Sequence, residues 1–278
     1  MSIGDLFWLF FIFSAIQPML RQKMLEAMRV RKISQLERER KSRVILLVHR
    51  QETMRLLGFP IARYIDINDS EEVLRAIQMT DPDVPLDLVL HTPGGVVLAA
   101  LQIAKAVREH KGKVTVFVPH YAMSGGMIAL AADEIVMCEH SVLGSIDPQL
   151  GESPVASLIK VVEEKPVAKV DDRMLIVADV GRKAITQVKQ AASELLTRRL
   201  PAEQATALAE KLSTGTWTHD YPIWASTGKS LGLSISTDMP DDVLQLLTLY
   251  PQPVRLQNSG GVEYLPVERR KLSESRAG

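Results

Sequence analysis

The hydrophobic pattern divides this chain into three parts. Residues 6–16 form a continuous apolar run, which Pro18, Met19 and Leu20 extend. Residues 22–42 contain no Gly or Pro, and Met24, Leu25, Met28, Ile33 and Leu36 recur at nearly helical spacing, which predicts a linking helix. From Arg43 onward, short apolar runs alternate with helical patterns. Residues 43–49, 61–67, 86–90, 114–118 and 135–138 read as strands, short and unbroken like those of a parallel sheet covered on both faces. Helices are predicted between them at 71–79 (capped by Asp69 or Ser70), 96–110 and 125–132. This βαβ alternation implies a parallel sheet with right-handed crossovers. After Gly151 the pattern turns helical, with predicted helices at 155–163, about 171–199, 202–212, 224–231 and 241–249 and a loop at 213–221. The expected organisation is an anchor at 1–20, a basic linker helix at 21–42, one α/β domain at 43–250 and a flexible tail at 251–278.

Charge changes the picture only at the amino end. The 278 residues balance 33 basic against 33 acidic side chains, so no domain-wide surplus points to nucleic acid. Behind the apolar run, however, come Arg21, Lys23, Arg29, Arg31, Lys32, Arg38, Arg40, Lys41 and Arg43, only partly offset by Glu26, Glu37 and Glu39. A signal peptide carries its positive charge before the apolar run, and here the charge follows it. The positive-inside rule then predicts an uncleaved anchor with the main domain in the cytoplasm, and membrane lipid as a partner. The run is marginal for a spanning helix, and a helix lying in the interface is the main alternative. The single cysteine, Cys138, rules out an intramolecular disulfide and reads as a small core residue. No HExxH, GxxxxGK[ST] or GxGxxG pattern occurs, so no metal, nucleotide or nicotinamide cofactor is expected.

Two strand-to-helix turns carry the candidate chemistry. His91-Thr92-Pro93-Gly94-Gly95 follows the third strand, and Tyr121-Ala122-Met123-Ser124-Gly125-Gly126 follows the fourth. Turns at the carboxyl ends of neighbouring parallel strands can lie side by side, where α/β folds place their active sites. Gly94 and Gly95 let backbone approach a ligand and aim N–H groups at a developing oxyanion, and Gly125 N–H would complete the hole. Ser124 would supply a hydroxyl nucleophile at a helix start. Either turn alone has a plainer reading, as a helix entry or a cap. Their combination points to acyl transfer.

These two turns resemble the oxyanion and nucleophile elements of the ClpP/crotonase superfamily, and Leu143-Gly144-Ser145-Ile146 resembles the segment after strand five in its signal-peptide-peptidase-A branch. The family resembled most is the membrane-anchored serine dehydrogenase proteinases. That likeness rests on the short apolar start, Val48-His49-Arg50-Gln51-Glu52-Thr53, Ile146-Asp147-Pro148-Gln149 and Trp217-Thr218-His219-Asp220-Tyr221-Pro222. It implies a ClpP/crotonase-type spiral of βαβ units with a helical extension, a peptide or protein substrate, and homo-oligomers.

The general base stays open. ClpP proper places a histidine just after strand five, where this chain reads Gly144-Ser145-Ile146-Asp147-Pro148. The signal-peptide-peptidase branch uses a lysine from the following helical region, and the candidates here are Lys160, Lys165, Lys169, Lys183 and Lys189. Lys183 is favoured because it follows Gly181-Arg182, echoing a glycine before the dyad lysine of relatives. Lys165 and His219 are the alternatives. Asp147 either orients the base or caps the turn before Pro148. His91 is a candidate for the substrate groove, and His140 reads as a turn residue. The expected function is therefore a membrane-anchored serine peptidase. The rivals are a non-proteolytic scaffold on the same fold and, more remotely, an acyl-CoA enzyme.

Overall fold

The computed structural model describes residues 3–49, 54–56, 59–61, 64–123, 126–151 and 153–250. Ser124, Gly125, residues 50–53 and the expected tail at 251–278 lie outside the described residues. The amino end is one long helix, α1 (Ile3–Arg40), running through both the apolar start and the basic stretch. Among the described residues no helix is long and apolar enough to cross a membrane, so the spanning anchor expected at 1–20 is not supported.

The α/β body follows in chain order. β1 is Arg43–Val48, and β2 (Met54–Leu56) pairs with β3 (Phe59–Ile61) as a small hairpin. α2 (Ile67–Gln78), β4 (Leu86–His91), α3 (Val97–Glu109) and β5 (Val114–Val118) come next. They are followed by β6 (Tyr121–Ala122), α4 (Gly126–Leu130), β7 (Glu134–Met137) and β8 (Val142–Leu143). β9 (Gln149–Leu150) and β10 (Ser153–Pro154) form a short antiparallel pair. The rest is mainly helical: α5 (Val155–Glu164), α6 (Asp172–Leu196), α7 (Ala202–Ser213), β11 (Ile223–Trp224), α8 (Ala225–Ser230), β12 (Ile235–Ser236) and α9 (Asp241–Thr248).

The main sheet is parallel, in the order β1-β4-β5-β7-β12. Alternate strand residues serve opposite faces. Ile45, Leu88, Val116 and Ile135 face the larger core, formed with α2, α3, α4, α6 and α7. Val44, Val89, Phe117 and Val136 face a second core, closed by Leu36 of α1 and by Val243, Leu246 and Leu247 of α9. Both faces are covered, which is why these strands show no polar alternation.

α1 is fastened to this body by its carboxyl half. Arg40 makes a bidentate pair with Asp87, a carboxylate buried within β4, which also accepts the Ser42 hydroxyl at 2.6 Å. Lys32 pairs with Asp242 and donates to Gln245 at 2.8 Å. Arg29 donates to the Leu249 carbonyl at 2.9 Å.

Three expectations change. The strand expected at 61–67 is instead the end of the hairpin followed by a single bridge from Ile65 to Gly95. α2 begins at Ile67 because Asp66, not Asp69 or Ser70, is its N-cap; Asp66 and Asp69 form a reciprocal capping box. Cys138, expected in the core, is only partly buried, just past β7.

Leu36 is 2% exposed and seats α1 on the sheet. Leu36→Ala is expected to lower unfolding stability by about 3 kcal/mol in denaturant titration.

Candidate active site

Backbone pairing brings the two glycine turns together. Beyond the end of β4, Thr92 N–H donates to Tyr121 C=O at 3.3 Å, and Met123 N–H donates back to Thr92 C=O at 3.0 Å. The ladder continues into β8, where Gly144 N–H donates to Ala122 C=O at 3.0 Å. Three loops therefore leave the sheet edge in contact. Two positions in them accept only glycine. A Cβ on Gly95 would lie 2.1 Å from the carbonyl oxygen of Ile65, and Gly94 has a φ of 111°. Ile65 holds this turn from the other side: its N–H donates to Gly94 C=O at 2.7 Å, and its C=O accepts Val96 N–H at 2.8 Å.

Ser124 and Gly125 are outside the described residues, but both flanks of their turn are placed. Gly126 N–H donates to Met123 C=O at 2.8 Å. Gly126 also packs so tightly on the next loop that a Cβ there would meet Gly144 O at 2.8 Å.

A cavity of about 640 Å³ opens beside these turns. Pro93 and Gly95 line it on one side, and Met127, Ile146, Asp147 and His219 on the others. Its ionisable pair is the central chemical feature. His219 Nδ1 lies 3.0 Å from Oδ1 of Asp147, across 72 positions of sequence. A carboxylate only accepts, so Nδ1 carries the hydrogen and Nε2 of the neutral ring is left as a base. The Asp147 side chain is 4% exposed and that of His219 35% exposed, so the carboxylate is the buried partner.

Asp147 is itself held on both oxygens. Gln149 donates to Oδ2 at 2.6 Å, and the Ser145 hydroxyl donates to Oδ1. The loop carrying His219 is pinned too. Ser145 Oγ lies 3.3 Å from the His219 carbonyl, Ile146 N–H donates to Leu212 C=O at 3.1 Å, and Trp217 stacks on Tyr221 with ring centroids 4.9 Å apart. The hydrogen bond from His219 to Asp147 raises the imidazole above its ordinary value of 6.5. Partial burial opposes that rise, and the negative charges of Asp147 and Asp220 add to it.

The remaining candidates are spread more widely. Lys183 sits on α6 with its side chain 68% exposed, 2.5 Å from Asp179 one turn earlier, and is not among the residues lining the cavity. Gly181, which favoured it, has a packing role: a Cβ there would meet Val155 of α5 at 2.7 Å. Lys165 is exposed at the carboxyl cap of α5, and Lys160 and Lys189 pair with Glu164 and Glu210. Lys169 is exposed as well. Gly95 lines the cavity, whereas Gly94 N–H donates to the Thr92 hydroxyl at 3.2 Å. His91 is buried against Tyr121 and His120 and is not among the cavity residues, and His140 is exposed, as a turn residue is. The sequence offers Asp147 as a residue that orients the base and His219 as an alternative base, and the structure brings these two together. The available signal was a polar Ser145-x-Asp147-x-Gln149 pattern and a histidine set between two aromatic residues.

Parallel strands whose ends meet at the Gly94-Gly95 turn, with a histidine–carboxylate pair beside them, make up the candidate site of an α/β protein. Over residues 1–278 the chain matches the ClpP-like SDH-type serine proteinases, and it belongs to that family. It is 48% identical over 262 residues to the uncharacterized protein MJ0137 of Methanocaldococcus jannaschii, covering 94% of this chain and 91% of that one. It is also 48% identical over 282 residues to MJ1495 of the same organism, covering 100% of this chain and 95% of that one. Among solved structures, the membrane-bound stomatin-specific protease 1510-N is 19% identical over 66% of this chain and 79% of that chain, with a TM-score of 0.42.

The raised His219 value has a defined pH consequence. A group whose folded value lies above its unfolded one contributes stability below the unfolded value and loses it as pH rises through the folded value. NMR titration is expected to place His219 above 6.5, and Asp147→Asn should bring it down. A value at or below 6.5 in the wild type counts against the pairing.

Proposed function

We propose that this protein is a serine peptidase that works through Ser124, His219 and Asp147, with backbone amides at Gly95 and Gly125 as the oxyanion hole. The observation that supports this reading best is the Asp147-oriented imidazole in the same cavity as Gly95. The lysine base favoured by the sequence gives way here to His219, because the exposed Lys183 pairs with Asp179 on α6 and does not line the cavity.

In the proposed reaction, Nε2 of His219 takes the Ser124 hydroxyl proton as Oγ attacks the scissile carbonyl. Asp147 holds Nδ1–H throughout and stabilises the imidazolium that forms. The carbonyl oxygen gains charge and is met by fixed N–H dipoles, which need no reorganisation during the step. The imidazolium then gives its proton to the leaving amine, and the C–N bond breaks. A water, deprotonated by the same nitrogen, hydrolyses the acyl-enzyme and returns Ser124 to its hydroxyl form. The walls contributed by Val97, Ala100, Met127 and Ile146 offer an apolar surface to a peptide side chain.

We extend the proposal to a homo-oligomer held at a membrane by its apolar start, with the main domain in the cytoplasm. The sequence of residues 6–16 and the basic residues after it support its membrane part, and membership of a ClpP-like family supports its oligomeric part.

A fluorophosphonate probe is expected to label the wild type and to fail on Ser124→Ala. With a peptide substrate, His219→Ala should lower kcat by about 10³-fold or more, while Lys183→Ala stays within about twofold of the wild type. The reverse pattern would return the base to Lys183. Activity should fall on the acid side, with a limb above pH 6.5, because the base must be neutral to accept a proton and its value is raised. Deletion of residues 1–20 is expected to move the protein from the membrane pellet to the supernatant.

A further inference from the structure

His49 follows β1 directly, is 6% exposed, and has no part in the reaction proposed above. Its ring nonetheless spans two partners. Nε2 lies 3.2 Å from Oδ2 of Asp69, and Nδ1 lies 3.1 Å from Oγ1 of Thr92. The Asp69 carboxylate can only accept, so Nε2 carries the hydrogen in that contact, and Nδ1 shares the other with the Thr92 hydroxyl. The same hydroxyl oxygen accepts Gly94 N–H at 3.2 Å. Polar contacts therefore connect the glycine turn through Thr92 and His49 to Asp69.

The far end of this chain is rigid. Asp69 Oδ2 also accepts Asp66 N–H at 2.9 Å, and Asp69 N–H donates to Asp66 Oδ1 at 3.0 Å, so the carboxylate is built into the first turn of α2. The imidazole is fixed through its own backbone as well, since His49 N–H donates to His91 C=O at 2.7 Å. The Thr92 hydroxyl also reaches the Gly94 carbonyl oxygen, at 3.4 Å, so both ends of the Gly94 peptide unit converge on it.

We propose that His49 is a positioning residue for the oxyanion turn: it fixes the Thr92 hydroxyl, which draws Gly94 N–H inward and leaves Gly95 facing the cavity. This rests on the reading of Gly95 as an oxyanion donor. His49 touches no reacting atom. It acts through Thr92, and its effect falls on the transition state, where amide placement within a few tenths of an ångström sets the stabilisation.

The test uses the full chain and three variants: Thr92→Val, which keeps shape and removes the hydroxyl; Thr92→Ser, which keeps the hydroxyl; and His49→Phe, which keeps a ring and removes both nitrogens. Amide hydrogen exchange at Gly94 is expected to accelerate about 10-fold or more in Thr92→Val and His49→Phe, and Thr92→Ser should stay near the wild type. On a peptide substrate, kcat should fall about 10- to 100-fold in the first two variants with KM changed less than about threefold, and Thr92→Ser should recover it. Wild-type exchange at Gly94 in Thr92→Val overturns the proposal, as does a loss shared equally by Thr92→Ser. If His49→Phe does not fold, the Thr92 pair decides. If the wild type cleaves no peptide, the peptidase reading fails on that measurement alone, and the exchange data still decide the role of His49.

Discussion

The site depends on one constraint: the carboxyl ends of β4 and β6 must stay paired through Thr92. Two backbone hydrogen bonds there, with the bridge from Ile65 to Gly95, place the glycine turn against the segment that leads to Met123. Side chains cannot replace this arrangement, because the gap between Gly95 and Ile65 has no room for even a methyl group. Everything chemical in the cavity is arranged around that close contact. The helices packed on both faces of the sheet serve to keep the strand ends in register.

The second requirement is an imidazole of defined orientation. Asp147 provides it while being gripped itself by Ser145 and Gln149. A buried carboxylate with all its partners in place is a rigid acceptor, and it also keeps His219 protonated to higher pH than a free imidazole. Under the proposed mechanism the same interaction organises the base and sets the pH range over which it can act.

The sheet was readable in the sequence because burial on both faces leaves a plain signature, and β1, β4, β5 and β7 fall where the apolar runs do. The start of α2 was misplaced because Ile65 and Ile67 continue an apolar run, while the Asp66–Asp69 capping box that begins the helix sits inside it. β12, two residues long, has no pattern of its own and exists only by pairing with β7. The glycine turns were legible from spacing. The Asp147–His219 pair was not: its members lie 72 positions apart, in segments brought together by the pairing of β8 with β11 and by the contacts of Ser145 and Ile146 with the loop after α7. Lys183 drew attention through Gly181, whose small size answers to the contact between α5 and α6.

The order of the segments along the chain has its own bearing on synthesis. The loop holding His219 follows α7, so a growing polypeptide carries both glycine turns well before it acquires the imidazole. Under the proposed mechanism the unfinished product lacks its base, and reactivity waits until the segment after α7 has brought His219 to Asp147.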